Sequence, residues 1–79
     1  MQKHPQLVAL GKQIRALREE TGLSQEAFAT EAGLDRAYYG GVERGERNIA
    51  SLNLIQIAMA LEVEIGDLFP KIRKLKKIK

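Results

Sequence analysis

The side chains of this chain that are equipped for chemistry do not form a catalytic set. Cysteine is absent, the single histidine is His4 beside the N-terminus, and the carboxylates do not cluster as a general acid and base or a metal centre would require. The sequence therefore reads as no enzyme, with no metal, no cofactor and no legible small-molecule pocket. What it offers is a recognition face. Arg36, Ala37, Tyr38, Gly40 and Gly41 fall on the outward side of a short helical stretch, with no acid between Arg36 and Val42. Positive charge and hydrogen-bond donors on a short helix suit the acceptor-rich major groove of double-stranded DNA.

The elements that must position this face lie in LSQEAFATEAGLDRAYYGGVERG, residues Leu23 to Gly45. Ser24 is a good N-cap for one helix and Asp35 for the next. Phe28 is the core residue of the first. Ala29 stands where the helices cross, and only a small side chain permits that approach. Gly33 allows the positive φ of a tight turn. Leu34, Tyr39 and Val42 point inward behind the second helix, which runs to about Arg44 before Gly45 stops it. Two short helices on a glycine turn form the unit that fits one helix into a major groove. The same unit can also pack inside a protein that never meets DNA, and the acid-free outward face argues against that.

The flanking sequence supplies the rest of an all-α fold. Val8, Leu10, Ile14 and Leu17 recur at helical spacing, so a first helix is predicted from about Pro5 to Thr21, with Gly22 as its stop. Ser51 is placed to cap a fourth helix over Leu52–Leu61. That helix is too apolar for one buried face. Leu54, Ile57, Ala58 and Leu61 make its core stripe, which leaves Ile55 and Met59 seeking a second partner. Ile65, Leu68 and Phe69 form a short fifth turn before Pro70. Five helices and no strand are expected.

The charge is unevenly placed. The chain has 79 residues, 44% of them hydrophobic, and a net charge of +3. This is the size and composition of one small domain whose core is marginal enough to favour self-association. Residues 71–79, KIRKLKKIK, hold six of the 13 Lys and Arg and no acid. The other 70 residues thus carry 7 basic against 10 acidic side chains, or −3. We read 1–70 as the domain and 71–79 as a basic tail. A frayed end is the first reading of the tail. A phosphate-binding arm or a short amphipathic helix through Ile72, Leu75 and Ile78 are the others. No apolar run is long enough to cross a membrane, and the N-terminus lacks the pattern of a signal peptide. With no cysteine, a reducing cytoplasm is the expected compartment.

These residues together resemble the XRE family, the phage-repressor and Cro-like helix-turn-helix regulators, over about residues 7–69. The run LDRAYYGGVERGERNI is most similar to the controller proteins of type II restriction-modification systems. The resemblance implies a five-helix, lambda-repressor-like fold. It also implies a homodimer on a pseudo-palindromic operator near the regulator's own promoter. By the same resemblance, Ser24 and Gln25 grip a phosphate. Arg36 bonds a guanine and Ala37 touches a thymine methyl, while Tyr38 contacts phosphate, sugar or base. Gly41 lies on the DNA-facing side, and Arg44, Arg47 and Asn48 follow the backbone. Arg18 and Glu43 form a structural ion pair that fixes the recognition helix. Ile55, Met59, Val63, Ile65 and Leu68 are assigned to the dimer interface.

The chain departs from the family pattern at several positions. Tyr39 stands where Ile or Val is usual, so its hydroxyl needs a partner or a route to solvent. Gly40-Gly41 costs roughly 1 kcal/mol per glycine inside a helix. Either bare backbone admits DNA closely there, or the helix tolerates the pair. Glu64 replaces the usual Ser or Thr before the fifth turn. A favourable helix dipole and solvation account for Glu26 and Glu31, and RNA polymerase is the other partner such a surface would meet. The competing function is a protein-interaction module, such as the antitoxin of a toxin–antitoxin pair, using the apolar residues of the last helices.

Overall fold

A computed structural model describes residues 4–75. Its elements are α1 (Pro5–Thr21), α2 (Gln25–Ala32), α3 (Arg36–Glu43) and α4 (Ser51–Leu61), then 3₁₀ turns at Ile65–Leu68 and Ile72–Lys74. No strand occurs among the described residues. The fifth helical segment is thus a single 3₁₀ turn. Part of the tail, beyond Leu75, lies outside the described residues.

Local chemistry sets most of the boundaries. Pro5 begins α1, and the ring nitrogen Nδ1 of His4 accepts from the Gln6 N–H at 3.1 Å. Ser24 Oγ accepts from the Ala27 N–H at 3.1 Å, and the Asp35 carboxylate accepts from the Tyr38 N–H at 3.0 Å. Each cap satisfies a helical N–H that has no partner within its own helix. Gly33 closes α2 at φ 74°, and the next N–H, of Leu34, reaches back to the Ala29 carbonyl at 2.8 Å.

One cap differs from expectation. Ser51 is the first residue inside α4, and Ala50 occupies the capping position with no side-chain hydrogen bond. From inside the helix, the Ser51 hydroxyl does not take the capping role. Packing of Ile57, Ala58 and Leu61 stabilises α4 instead. Its far end is stopped by Glu62 in the left-handed conformation, φ 58°, where no glycine advertises a stop.

The core draws on every helix. Leu10 and Ile14 of α1, Phe28, Ala29 and Ala32 of α2, Tyr39 and Val42 of α3, and Ile57, Ala58 and Leu61 of α4 are buried together. Leu34 and Leu54 pack against this cluster while remaining partly exposed. The rings of Phe28 and Tyr39 meet at 5.1 Å between centroids, tilted by 49°. Leu68, assigned from sequence to the dimer interface, is fully buried in the same core. That assignment is corrected: the 3₁₀ turn folds Leu68 under α1 and α4, so it has no surface to offer a partner.

Backbone contact brings α1 against the end of α3. A Cβ on Gly11 would lie 2.5 Å from the carbonyl oxygens of both Val42 and Glu43. Gly45 is constrained twice. Its φ is +78°, and a Cβ there would sit 2.6 Å from the Cα of Val8.

Candidate nucleic-acid interface

Helical geometry divides α3 into three sides. Tyr39, Val42 and Glu43 face the core. On the outer side, Arg36, Ala37, Gly40 and Arg44 line an open cleft with Gln25 from the start of α2. Tyr38 and Gly41 occupy the remaining flank, beneath the side chain of Arg47. The cleft lining thus holds two arginines and no carboxylate.

The Gly40-Gly41 pair requires a correction. Neither glycine presents bare backbone, because both are buried under arginines of the same chain. A Cβ on Gly40 would lie 3.0 Å from Nη1 of Arg44, and one on Gly41 would lie 3.1 Å from Cγ of Arg47. Gly41 therefore serves the outer face by giving Arg47 a place to lie. The missing side chains leave room for two long cations to lie over α3.

The exposed cations have partners. Arg36 Nη1 lies 3.7 Å from Glu26 Oε2, and Arg44 Nε lies 3.1 Å from Glu46 Oε1. The Arg47 guanidinium sits 5.7 Å from the centroid of the Tyr38 ring, a cation–π contact. Surface pairs of this kind are worth about 0–1 kcal/mol, so a phosphate or a base edge can displace them at little cost.

Beneath the face lies a buried polar cluster. Arg18 on α1 donates to Glu43 through Nε at 2.7 Å and Nη2 at 3.1 Å, while its Nη1 donates to the Leu23 carbonyl at 2.9 Å. Gln25 Nε2 donates to the same Glu43 carboxylate at 2.8 Å. Burial alone would raise the Glu43 pKa, but the hydrogen bonds from Arg18, the nearby Tyr39 hydroxyl, the hydrogen bond from Gln25 and the Arg18 charge hold it below the usual carboxylate range. Arg18 is held above its ordinary value by the hydrogen bond to Glu43, against the opposing effect of burial. The Tyr39 hydroxyl is near this cluster without meeting either group in hydrogen-bond geometry. Burial first, and the adjacent carboxylate second, push its pKa well above that of a free phenol. Tyr39 thus gains neither the aligned partner nor the route to solvent that its hydroxyl calls for.

Gln25, Arg36, Ala37 and Arg44 are brought to one cleft, and Tyr38, Gly41 and Arg47 to its flank. Ser24 is exposed at the N-terminus of α2; its oxygen is engaged as the cap, and its hydroxyl proton keeps its donor capacity. Asn48 is set apart, bordering an apolar groove lined by Leu7, Leu10, Phe69 and Ile72. Further along the chain, α4 exposes Ile55 at 45% and Met59 at 72%, with Ile65 at 42% beyond it. Val63 is partly buried.

Two further residues belong to these surfaces. Leu52, 65% exposed, precedes Ile55 by three and Met59 by seven, a helical spacing that could have revealed it. Asn53 donates to the Tyr38 hydroxyl at 3.0 Å, and no local sequence signal announces that contact.

A short helix seated across a glycine turn from its partner, with its polar side turned out and its apolar side in the core, defines a helix-turn-helix domain. The helix-turn-helix model HTH_3 matches residues 14–68, and the chain belongs to this family, within its XRE-like regulators. Its relatives include restriction-modification controller proteins. The control protein C.MunI of a Mycoplasma species is 41% identical over 68 residues, spanning 85% of this chain and 92% of that one. The crystal structure of the controller C.AhdI from Aeromonas hydrophila superposes with a TM-score of 0.82 at 48% identity, covering 84% of this chain and all (100%) of that one. The controller C.Esp1396I, solved bound to a 19 base pair DNA duplex, matches with a TM-score of 0.71 at 35% identity, over 78% of this chain and 83% of that one. The family is one of DNA-binding transcription regulators rather than an enzyme class. No described helix is long and apolar enough to cross a membrane.

Proposed function

We propose that this protein is a sequence-specific DNA-binding transcription regulator that acts as a homodimer on a pseudo-palindromic operator. The observation that carries the reading is the cleft where Arg36, Ala37 and Gly40 of α3, with Arg44 just past its end, meet Gln25 of α2. Its lining is cationic at both ends, small in the middle and free of carboxylates. Such a surface admits a base edge near Arg36 and Ala37 and a phosphate near Arg44 and the α2 N-terminus. The likeness to a controller solved on a DNA duplex supports the same reading.

The dimer is proposed through α4. Leu52, Ile55 and Met59 form an exposed apolar stripe that a second copy would cover. Two such protomers would place their α3 helices about one DNA turn apart, roughly 34 Å. The role proposed within the cell is control of a restriction-modification operon, by blocking or recruiting RNA polymerase. Similarity to C.MunI, C.SmaI and C.BamHI supports that narrower assignment.

Selection from random duplex DNA tests the proposal. A two-fold symmetric motif should be enriched, bound by two protomers. Retention of DNA without enrichment of any motif would overturn sequence-specific reading.

A further inference from the structure

Tyr38 is held from three directions. Its N–H is capped by Asp35, the Arg47 guanidinium lies over its ring, and Asn53 of α4 donates from Nδ2 to its hydroxyl at 3.0 Å. The last contact joins the flank of the proposed reading helix to the first turn of α4. A phenol oxygen has two acceptor lone pairs and one proton. Asn53 occupies the acceptor side. The proton has no hydrogen-bond acceptor among the described residues, and Tyr38 is partly exposed. With an acceptor lone pair engaged by Asn53, the hydroxyl keeps its proton to donate to a further group.

We infer that Asn53 is a positioning residue for DNA recognition, holding the Tyr38 hydroxyl as a fixed donor for an acceptor oxygen of DNA. The inference rests on the proposed DNA-reading role of α3. Asn53 itself touches no base; it acts through Tyr38. A free tyrosine would have to give up rotamer freedom and hydroxyl orientation on binding, and an amide that fixes both in advance reduces that loss. The acceptor on DNA is a phosphate oxygen or a base oxygen, and the two are distinguished by how the loss depends on sequence.

The test uses the full chain, the selected operator and a random duplex. Binding and thermal unfolding are measured for Asn53→Ala, Asn53→Asp and Tyr38→Phe, and for each Asn53 change combined with Tyr38→Phe. Asn53→Ala should weaken operator binding about 3- to 10-fold, the effect of one hydrogen bond. Asn53→Asp should weaken it at least as much, because a carboxylate accepts the phenol proton and reverses the polarity of the contact. The third residue of α4 lies where the helix dipole favours an acid, so the same change should keep or raise the melting temperature. Loss of binding with retained stability is what a packing role would not produce. In the Tyr38→Phe background, Asn53→Ala should have no further effect. A loss confined to the operator assigns a base acceptor; an equal loss on both duplexes assigns a phosphate.

Wild-type affinity in Asn53→Asp, or an effect of Asn53→Ala that persists undiminished beside Tyr38→Phe, would overturn the inference while leaving the DNA-binding reading intact. Failure of the wild-type protein to select any operator would overturn both.

Discussion

The Arg18 guanidinium and the Glu43 carboxylate, 25 residues apart in sequence, meet through two hydrogen bonds of 2.7 and 3.1 Å in the interior. Glu43 is the last residue of α3, so the pair ties the recognition helix to α1. Gln25 joins the same carboxylate from the cleft, so one buried acid braces three helices. Glu43→Ala should destabilise the fold by about 3–5 kcal/mol, since Arg18 would be left buried without its counter-charge. Urea unfolding checks this. A variant as stable as the parent would show that the pair contributes nothing net.

The same carboxylate gives the protein an acid sensitivity of definite sign. Its folded pKa lies below the ordinary value of 4.5, so the unfolded chain takes up the proton first as pH falls. The stabilisation is complete above the ordinary value and is lost as pH drops through the folded value. Between about pH 6 and about pH 3, unfolding free energy should fall less in Glu43→Gln than in the parent. Parallel curves would assign the acid sensitivity to other carboxylates.

Gly11 sets two effects in opposition. Alanine favours helix over glycine by about 1 kcal/mol, which alone would stabilise α1. A Cβ there would lie 2.5 Å from two carbonyl oxygens of α3, and overpacking of this kind costs about 1–3 kcal/mol. Neither carbonyl can rotate away without breaking the end of α3. Gly11→Ala should therefore lower the melting temperature, and a rise would mean that α1 and α3 are not in backbone contact.

Arg36 is the proposed base reader. Arg36→Ala should cost about 1–3 kcal/mol on the selected operator and relax preference at one base pair. Its pairing with Glu26 is exposed and should not blunt the effect much. Equal losses on operator and random DNA would reassign Arg36 to the phosphate backbone.

The α4 stripe predicts a charge-sensitive dimer. Ile55→Lys with Met59→Lys should leave the melting profile of the monomer nearly intact, since both side chains are exposed. Sedimentation should then report a monomer that binds operator with lower affinity and no cooperativity. A dimer that survives both changes would place the self-interface elsewhere.

The basic tail makes a separate electrostatic prediction. Replacing the six Lys and Arg of residues 71–79 with Gln should lower non-specific affinity and flatten its salt dependence. The slope should shrink by about 0.9 for every phosphate the tail no longer neutralises. An unchanged slope would exclude the tail as a phosphate-binding arm.

The extent to which each feature is legible follows the range of the forces behind it. Ser24, Gly33, Asp35 and Gly45 act within a few residues of themselves, and each stands in the structure at the cap or turn its chemistry implies. The α4 cap falls one residue before the serine that side-chain type alone would choose, because the backbone enters the helix direction at Ser51 and not after it. Leu68 and Ile65 belong to one short turn, yet Leu68 is fully buried while Ile65 stays 42% exposed. Gly40 and Gly41 read as a weakness in α3 until Arg44 and Arg47 are seen lying across them.

The helix-turn-helix is written locally along the chain, in its caps, its glycine turn and the side of α3 that stays polar. Those follow from hydrogen bonds and periodicities that close within one or two helical turns. What the polar side is made of depends on how the helices pack. Packing sets Gln25 and Arg18 on one buried carboxylate, Arg47 over Tyr38, and Asn53 against the Tyr38 hydroxyl. These contacts link separate segments of the chain, so their existence depends on how the helices pack, which no local spacing records.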